Sequence, residues 1–288
     1  LPATAEALRD RLLRLLDALA ASPSQSLAEL VRAQPVERAQ LAQWDRAGAA
    51  AAAGVPQPDF IDAIDARVRA TPQRTALLCD GVAISYAELG QRVGQFEAQL
   101  RSLGAQPGGR AVLSIGDPLA HLVASFAALR AGLSVACAAP GAAAAGPLPT
   151  PASDAPAWLV SDRAPDTALP PGVQWVDSAL VPQRRSWPAP AAGTVDTRVE
   201  PLPVDRAALA QMLASLARDV KLLESDRAIC FADDARALQV FIAAQALAAG
   251  AEVVMAAEGL TADPQRLCAT LLEQRIGFMH ASGTTWRA

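Results

Sequence analysis

Residues 110–140 constrain this chain more than any other stretch. They read RAVLSIG, then LAHLVASFAALRAG, then LSVACAAP: a strand pattern, an apolar helix pattern and a second strand pattern joined by short turns. Strand, helix, strand with short turns is the unit from which a largely parallel, layered α/β domain is built. The alternation has a lead-in, with Phe60, Ile61, Ile64 and Val68 marking a helix that closes at TPQ. ALLCDGVAISY then reads as two short strands around Asp80-Gly81, a hairpin signal, and Tyr86 to Leu103 as a helix stopped by Gly104. It resumes at Asp205, with Ala207–Arg218 a helix, AICFAD a strand and LQVFIAAQALAAG a buried helix. AEVVMA is a strand, DPQRLCATLLEQR a helix and IGFMHA a last strand. The expected fold class is therefore α/β, with layered, mostly parallel sheets flanked by helices.

Two segments depart from this pattern. Residues 1–58 read as a helical linker. Leu8, Leu12, Leu15, Leu16 and Leu19 form one stripe of a helix over Glu6–Ala21, and Ser26–Ala33 is a second helical stretch. AGAAAAAGVPQPD (residues 47–59) then marks the boundary to a domain spanning 59–288. Residues 140–203 hold 13 of the 22 prolines and read as irregular, with only APAWLVSD and GVQWVD patterned as strands. No period of 20–50 residues repeats, which excludes a solenoid.

Composition removes several function classes. A hydrophobic fraction of 52% with a formal charge of −4 is incompatible with intrinsic disorder. Without a basic block the chain is not a nucleic-acid binder. Cys79, Cys137, Cys230 and Cys268 are scattered, with no CxxC pair, and read as buried free thiols of a reducing compartment. With only His121 and His280 beside them, no zinc set forms. The first residues lack a signal-peptide pattern, Ala131–Ser153 is broken by glycine and proline, and Ala237–Ala251 is too short for a span. No membrane contact is expected, and the expected location is the cytoplasm.

Candidate chemistry is sparse. Leu103-Gly104-Ala105-Gln106-Pro107-Gly108-Gly109 is glycine-rich but runs helix to strand, the wrong sense for a phosphate loop. Ser282-Gly283-Thr284-Thr285 follows a strand but no lysine or further glycine comes after it. His121 has Ser125 one helical turn on, yet reads as a partly buried surface residue rather than a base. His280 stands beside Ser282 without a G-x-S-x-G elbow. Asp233-Asp234 could offer two hard ligands to Mg²⁺, but adjacent carboxylates in a strand point opposite ways, and a solvated turn reads better. No residue is assigned a catalytic, cofactor-binding or metal-ligating role.

Three stretches together resemble a known family. Ile84-Ser85-Tyr86-Ala87-Glu88-Leu89 is similar to the first core motif of the amino-acid adenylation domains of nonribosomal peptide synthetases, an (L/I)-(S/T)-Y-x-E-L run. Leu129-Arg130-Ala131-Gly132-Leu133-Ser134-Val135 resembles the second, where L-K-A-G precedes a strand ending near a proline, here Pro140. RLLDALAASPSQSLAEL and ERAQLAQWD resemble the end of a condensation domain and its linker, and RIGFMHASGTTWRA resembles a later strand of the same fold. The resemblance implies part of an adenylation-domain large subdomain behind a condensation-to-adenylation linker.

The departures carry equal weight. The family's T-S-G-S-T-G-x-P-K-G phosphate loop should fall near residues 195–205. There the chain reads Thr194-Val195-Asp196-Thr197-Arg198-Val199-Glu200-Pro201-Leu202-Pro203, with no glycine run, no Ser/Thr cluster and no lysine. Lacking glycine, the backbone loses its close approach to phosphate, and Glu200 repels it. The chain's single lysine, Lys221, is followed by Leu-Leu-Glu and matches neither lysine position of the family. The family's substrate-reading F-D segment appears as F-A-D-D at Phe231–Asp234, further from Gly250 than the family pattern, so its amino-group role is not carried over. The resemblance also implies truncation, with the adenine- and ribose-contacting motifs and the lid lysine beyond Ala288. The expectation is a non-catalytic pseudo-adenylation domain, without cofactor, serving as a structural or interaction module beside condensation and carrier domains of a synthetase. Two alternatives stay open: part of an active AMP-forming ligase completed outside this chain, or a docking module whose apolar helices grip a partner.

Overall fold

The computed structural model describes residues 2–22, 38–39, 41–43, 46, 59–79, 81–138, 157–166, 168–182, 206–231, 236–256 and 259–281. Expectations for Ser26–Ala33, for residues 47–58, for Asp80, for Thr194–Pro203, for Asp233-Asp234 and for Ser282–Thr285 lie outside the described residues. The chain divides into two compact units, Leu1–Pro56 and Gln57–Ala288. In the first, helix α1 (Pro2–Ala21) begins four residues before the leucine stripe predicts, and Leu8, Leu12, Leu13, Leu16 and Leu19 are all exposed.

The second unit opens with α2 (Phe60–Ala70), whose first turn is capped by the Asp59 carboxylate accepting from the Ile61 amide at 2.8 Å. Strands β1 (Thr75–Cys79) and β2 (Val82–Ser85) pair antiparallel across a turn in which Gly81 takes φ 75°, a conformation that the hairpin signal requires and glycine adopts freely. Ser85 caps α3 (Tyr86–Ser102), and Asp117 with Pro118 opens α4 (Pro118–Arg130) after β3 (Arg110–Ser114). Strand β4 (Ser134–Cys137) follows, then β5 (Ala157–Ser161) and β6 (Val173–Asp177). The remainder runs α5 (Arg206–Asp219), β7 (Arg227–Cys230), α6 (Arg236–Ala249), β8 (Glu252–Met255), α7 (Pro264–Glu273) and β9 (Phe278–Met279).

Two sheets result. One has the order β2-β1-β8-β7-β9 and is parallel except for β2 at its edge; the other, β4-β3-β5-β6, is parallel throughout. Within the proline-rich stretch, the two runs that read as strands are β5 and β6. Its AWLVS run is β5, an interior strand of the second sheet, buried along its whole length between β3 and β6.

The helices α3, α4 and α6 lie between the sheets, α4 against β3 and β4, α6 against β7 and β8, and the two against each other. Every residue of α4 from Pro118 to Leu129 is buried, because it meets a sheet on one side and helices on the others. Alanine suits this layer: Ala120, Ala124, Ala127 and Ala128 of α4 and Ala243, Ala244 and Ala246 of α6 are wholly inaccessible, and small side chains let the helices approach closely. The 67 alanines of the chain are thus partly a packing device rather than a weak core. Outside the first sheet, Ile229 and Phe231 pack against Leu267 of α7.

Candidate functional site

In parallel α/β sheets, ligands approach the carboxyl ends of the strands, where helix amino termini face outward. Here the carboxyl end of β3 leads through Ile115, Gly116 and Asp117 into α4, and that of β7 leads through Phe231 toward Arg236, the first residue of α6. Arg236 donates from Nη2 to the Gly116 carbonyl at 2.9 Å and from Nη1 to Gln239 Oε1 at 3.0 Å. Gln239, fully buried, donates from Nε2 to the Phe231 carbonyl at 2.8 Å. On the other side of the same turn, the Gly116 amide donates to Asp162 Oδ2 at 2.6 Å, and Ser178 Oγ donates to Asp162 Oδ1. One hydrogen-bonded line thus joins the exits of β7, β3 and β5, tying the two sheets together.

The electrostatics follow from burial. Asp117 caps α4 by accepting from the Leu119 amide at 2.9 Å. Burial raises its carboxyl above the usual carboxylate range and nearby Asp162 adds to this, while the Leu119 and Ala120 amides and Arg236 pull it down. His121, one turn into α4, is completely buried, and neither ring nitrogen has a hydrogen-bond partner. Burial drives its pKa down to about 3, with the Arg236 charge adding to the effect. The partly exposed histidine expected from the sequence is therefore a core residue, neutral at physiological pH. Ser125 Oγ donates to the His121 backbone carbonyl at 2.7 Å, so the two side chains form no nucleophile–base pair.

The remaining sequence candidates scatter. Gly104 and Gly108 both adopt left-handed φ in the turn between α3 and β3, and Gly108 donates to the Gly132 carbonyl at 3.0 Å, as a plain connection does. His280 follows β9 and meets Phe241 edge-on, with centroids 6.3 Å apart. Cys79, Cys137 and Cys230 are buried as expected; Cys268 is not, because α7 presents it to solvent. Lys221 follows α5 and is exposed at a different end of the molecule from Arg236 along α6. Among the described residues no three His, Cys, Asp or Glu side chains converge as a metal site, and no helix is long and apolar enough to cross a membrane. The residues that bind the strand ends together, Gly116, Asp162, Ser178, Arg236 and Gln239, carry no motif. The one sequence cue was an Arg and Gln at i and i+3 at the start of the helix that follows a buried strand.

Sequence and fold comparisons point the same way. The AMP-binding enzyme family matches residues 64–146. A linear gramicidin synthase of Brevibacillus parabrevis is 30% identical over 132 residues, which is 45% of this chain and 2% of that protein. The structure of NpsA-ThdA, an artificially fused adenylation–PCP di-domain from Klebsiella oxytoca, superposes with a TM-score of 0.58 at 19% identity, covering 81% of this chain and 44% of that one. O-succinylbenzoate coenzyme A synthetase of Bacillus subtilis, solved with ATP and magnesium ion, gives a TM-score of 0.55 at 16% identity over 80% of this chain and 50% of that one. The chain thus spans half or less of the length of each of these relatives. An ATP–Mg²⁺ pair would need a phosphate cradle and free hard oxygens. At the strand ends Asp162 accepts from the Gly116 amide and the Ser178 hydroxyl, and Asp117 caps a helix. Taken together, residues 64–146 resemble the AMP-binding enzymes, and the two-sheet fold is that of the amino-terminal part of adenylation-domain structures.

Proposed function

We propose that the chain is a non-catalytic pseudo-adenylation domain, a structural and interaction module of a nonribosomal peptide or hybrid synthetase in the cytoplasm. Its neighbours in that assembly are condensation and carrier domains. The observation that carries the reading is the sequence Thr194–Pro203, where the phosphate loop of this family should stand and where glycine and lysine are both lacking. Transfer of AMP to a carboxylate needs cationic and backbone donors placed on the phosphates, and losing one such donor costs about 3–4 kcal/mol of transition-state stabilisation by analogy with oxyanion holes. Two such losses together slow the reaction by roughly 10⁴-fold or more. The strand-end geometry supports the same reading, since Arg236, Gln239, Asp162 and Ser178 spend their hydrogen bonds on one another and on the backbone. What remains is a scaffold whose cores are intact.

The test is ATP–pyrophosphate exchange with each proteinogenic amino acid and with aryl acids, beside calorimetry with ATP and Mg²⁺. No exchange and no heat at millimolar nucleotide are expected. Robust exchange with any acid would overturn the proposal in favour of a working ligase.

A further inference from the structure

A concavity lies along the carboxyl-terminal half of α6, lined also by residues of α2 and α5. We propose that this cleft binds a small amphiphilic carboxylate, its alkyl chain between the three helices and its head group at Lys221. The cleft measures about 350 Å³, within the size range of small-molecule sites. Most of the side chains lining it are apolar, among them Phe60 of α2, Leu213 of α5, and Ala210, Ala214, Ala217, Ala248 and Ala249, while backbone, Gln245 and Lys221 add polar surface.

The opening has a structural cause. At its first residue α5 is tethered to α2, with Arg206 pairing to Asp59 at 2.9 Å and to Asp62 at 3.1 Å. Leu209 and Leu213 seat the helix on the core. The alanine face then offers only methyl groups toward α6, too short to close the gap.

Two polar groups give the cleft its preference. Gln245 borders it and is 7% exposed, and neither its amide oxygen nor its amide nitrogen has a hydrogen-bond partner. A buried amide left unpaired is costly, and a ligand oxygen reached by a turn of that amide relieves the cost. Lys221, the chain's single lysine, lines the cleft and is exposed. One flexible ammonium beside an apolar trough suits a single carboxylate on a hydrocarbon chain. A phosphate ester would call for several converging donors. The cleft is separate from the strand-end site, since Gln245 lies nine residues beyond Arg236 on α6, about 14 Å along the axis.

Calorimetry of the full chain with octanoate, hexanoate and 1-octanol tests the assignment, independently of any result with ATP. Octanoate is expected to bind saturably and hexanoate about fifteenfold more weakly, from about fourfold per buried methylene. Lys221→Gln should weaken octanoate about threefold and leave 1-octanol unchanged, the scale of a solvent-exposed ion pair. Ala214→Phe and Ala217→Phe, each confirmed folded by circular dichroism, should abolish binding of both. On adding octanoate, the Gln245 side-chain amide resonances should shift in ¹H–¹⁵N spectra. Absence of saturable octanoate binding up to about 5 mM would overturn the proposal, as would unchanged affinity in the two phenylalanine variants.

Discussion

Acidification should destabilise this protein through His121. Its ring is fully buried without a partner for either nitrogen, and its pKa is lowered from 6.5 to about 3. The unfolded chain therefore takes up a proton near pH 6.5 that the folded chain refuses until about pH 3. The stability that this neutral ring contributes is complete above pH 6.5 and declines as the pH falls toward 3. With one pKa unit worth about 1.4 kcal/mol, the loss is about 3 kcal/mol at pH 4.5 and levels off near 5 kcal/mol below pH 3. Asp117 works in the opposite sense. Its raised pKa means that its contribution is present below its unfolded value of 3.8 and is lost as pH rises through the folded value. The histidine effect is therefore isolated by difference. Urea unfolding midpoints would be measured from about pH 7.5 to 4.5 for the parent chain and for His121→Leu. The variant should be at least as stable at neutral pH, since it removes two unpaired buried nitrogens, and should lose about 3 kcal/mol less by pH 4.5. Parallel pH profiles for the two proteins, or a His121 ring resonance titrating near pH 6.5 in the folded state, would refute the reasoning.

Three further perturbations follow from the contacts. Tyr86→Phe removes a buried hydroxyl that donates to the Ala251 carbonyl at 2.8 Å, and should cost about 1–2 kcal/mol in urea denaturation. Gly132→Ala places a Cβ 3.0 Å from Pro107 Cβ at a φ of 85°, so thermal unfolding should show a loss of about 1–2 kcal/mol, with Gly94→Ala, in open space within α3, as the mild control. Gln239→Leu strips the Phe231 carbonyl and the Arg236 guanidinium of their shared partner, and should cost about 3 kcal/mol by chemical denaturation.

Local pattern accounts for most of the fold. Apolar runs bounded by glycine and proline place α3, β3, α4, α6 and β8 to within a few residues, because each depends on neighbours in the chain. The hairpin at Gly81 and the caps at Ser85 and Asp117 are similarly local. The strand-end site was not readable in this way. Its tie between Gly116 and Asp162 crosses 46 positions and that between Arg236 and Gly116 crosses 120, and no residue type at those positions announces its partner. His121 shows the same limit: its spacing to Ser125 on α4 is plain, but the burial that empties it of charge comes from the sheet and helix packed against α4.

The sequence by itself therefore determined the element types, the parallel α/β class and the lack of glycine and lysine at residues 194–203. Each of these is a property of residue identity over a short stretch. Tertiary structure alone decided that β5, out of a proline-rich segment, stands inside a sheet. It also decided that Arg236 and Gln239 close one end of the molecule while Lys221 and Gln245 border a cleft along α6. Those outcomes depend on which distant surfaces come to share a desolvated space, where an unpaired polar group is costly and a paired one holds two sheets together.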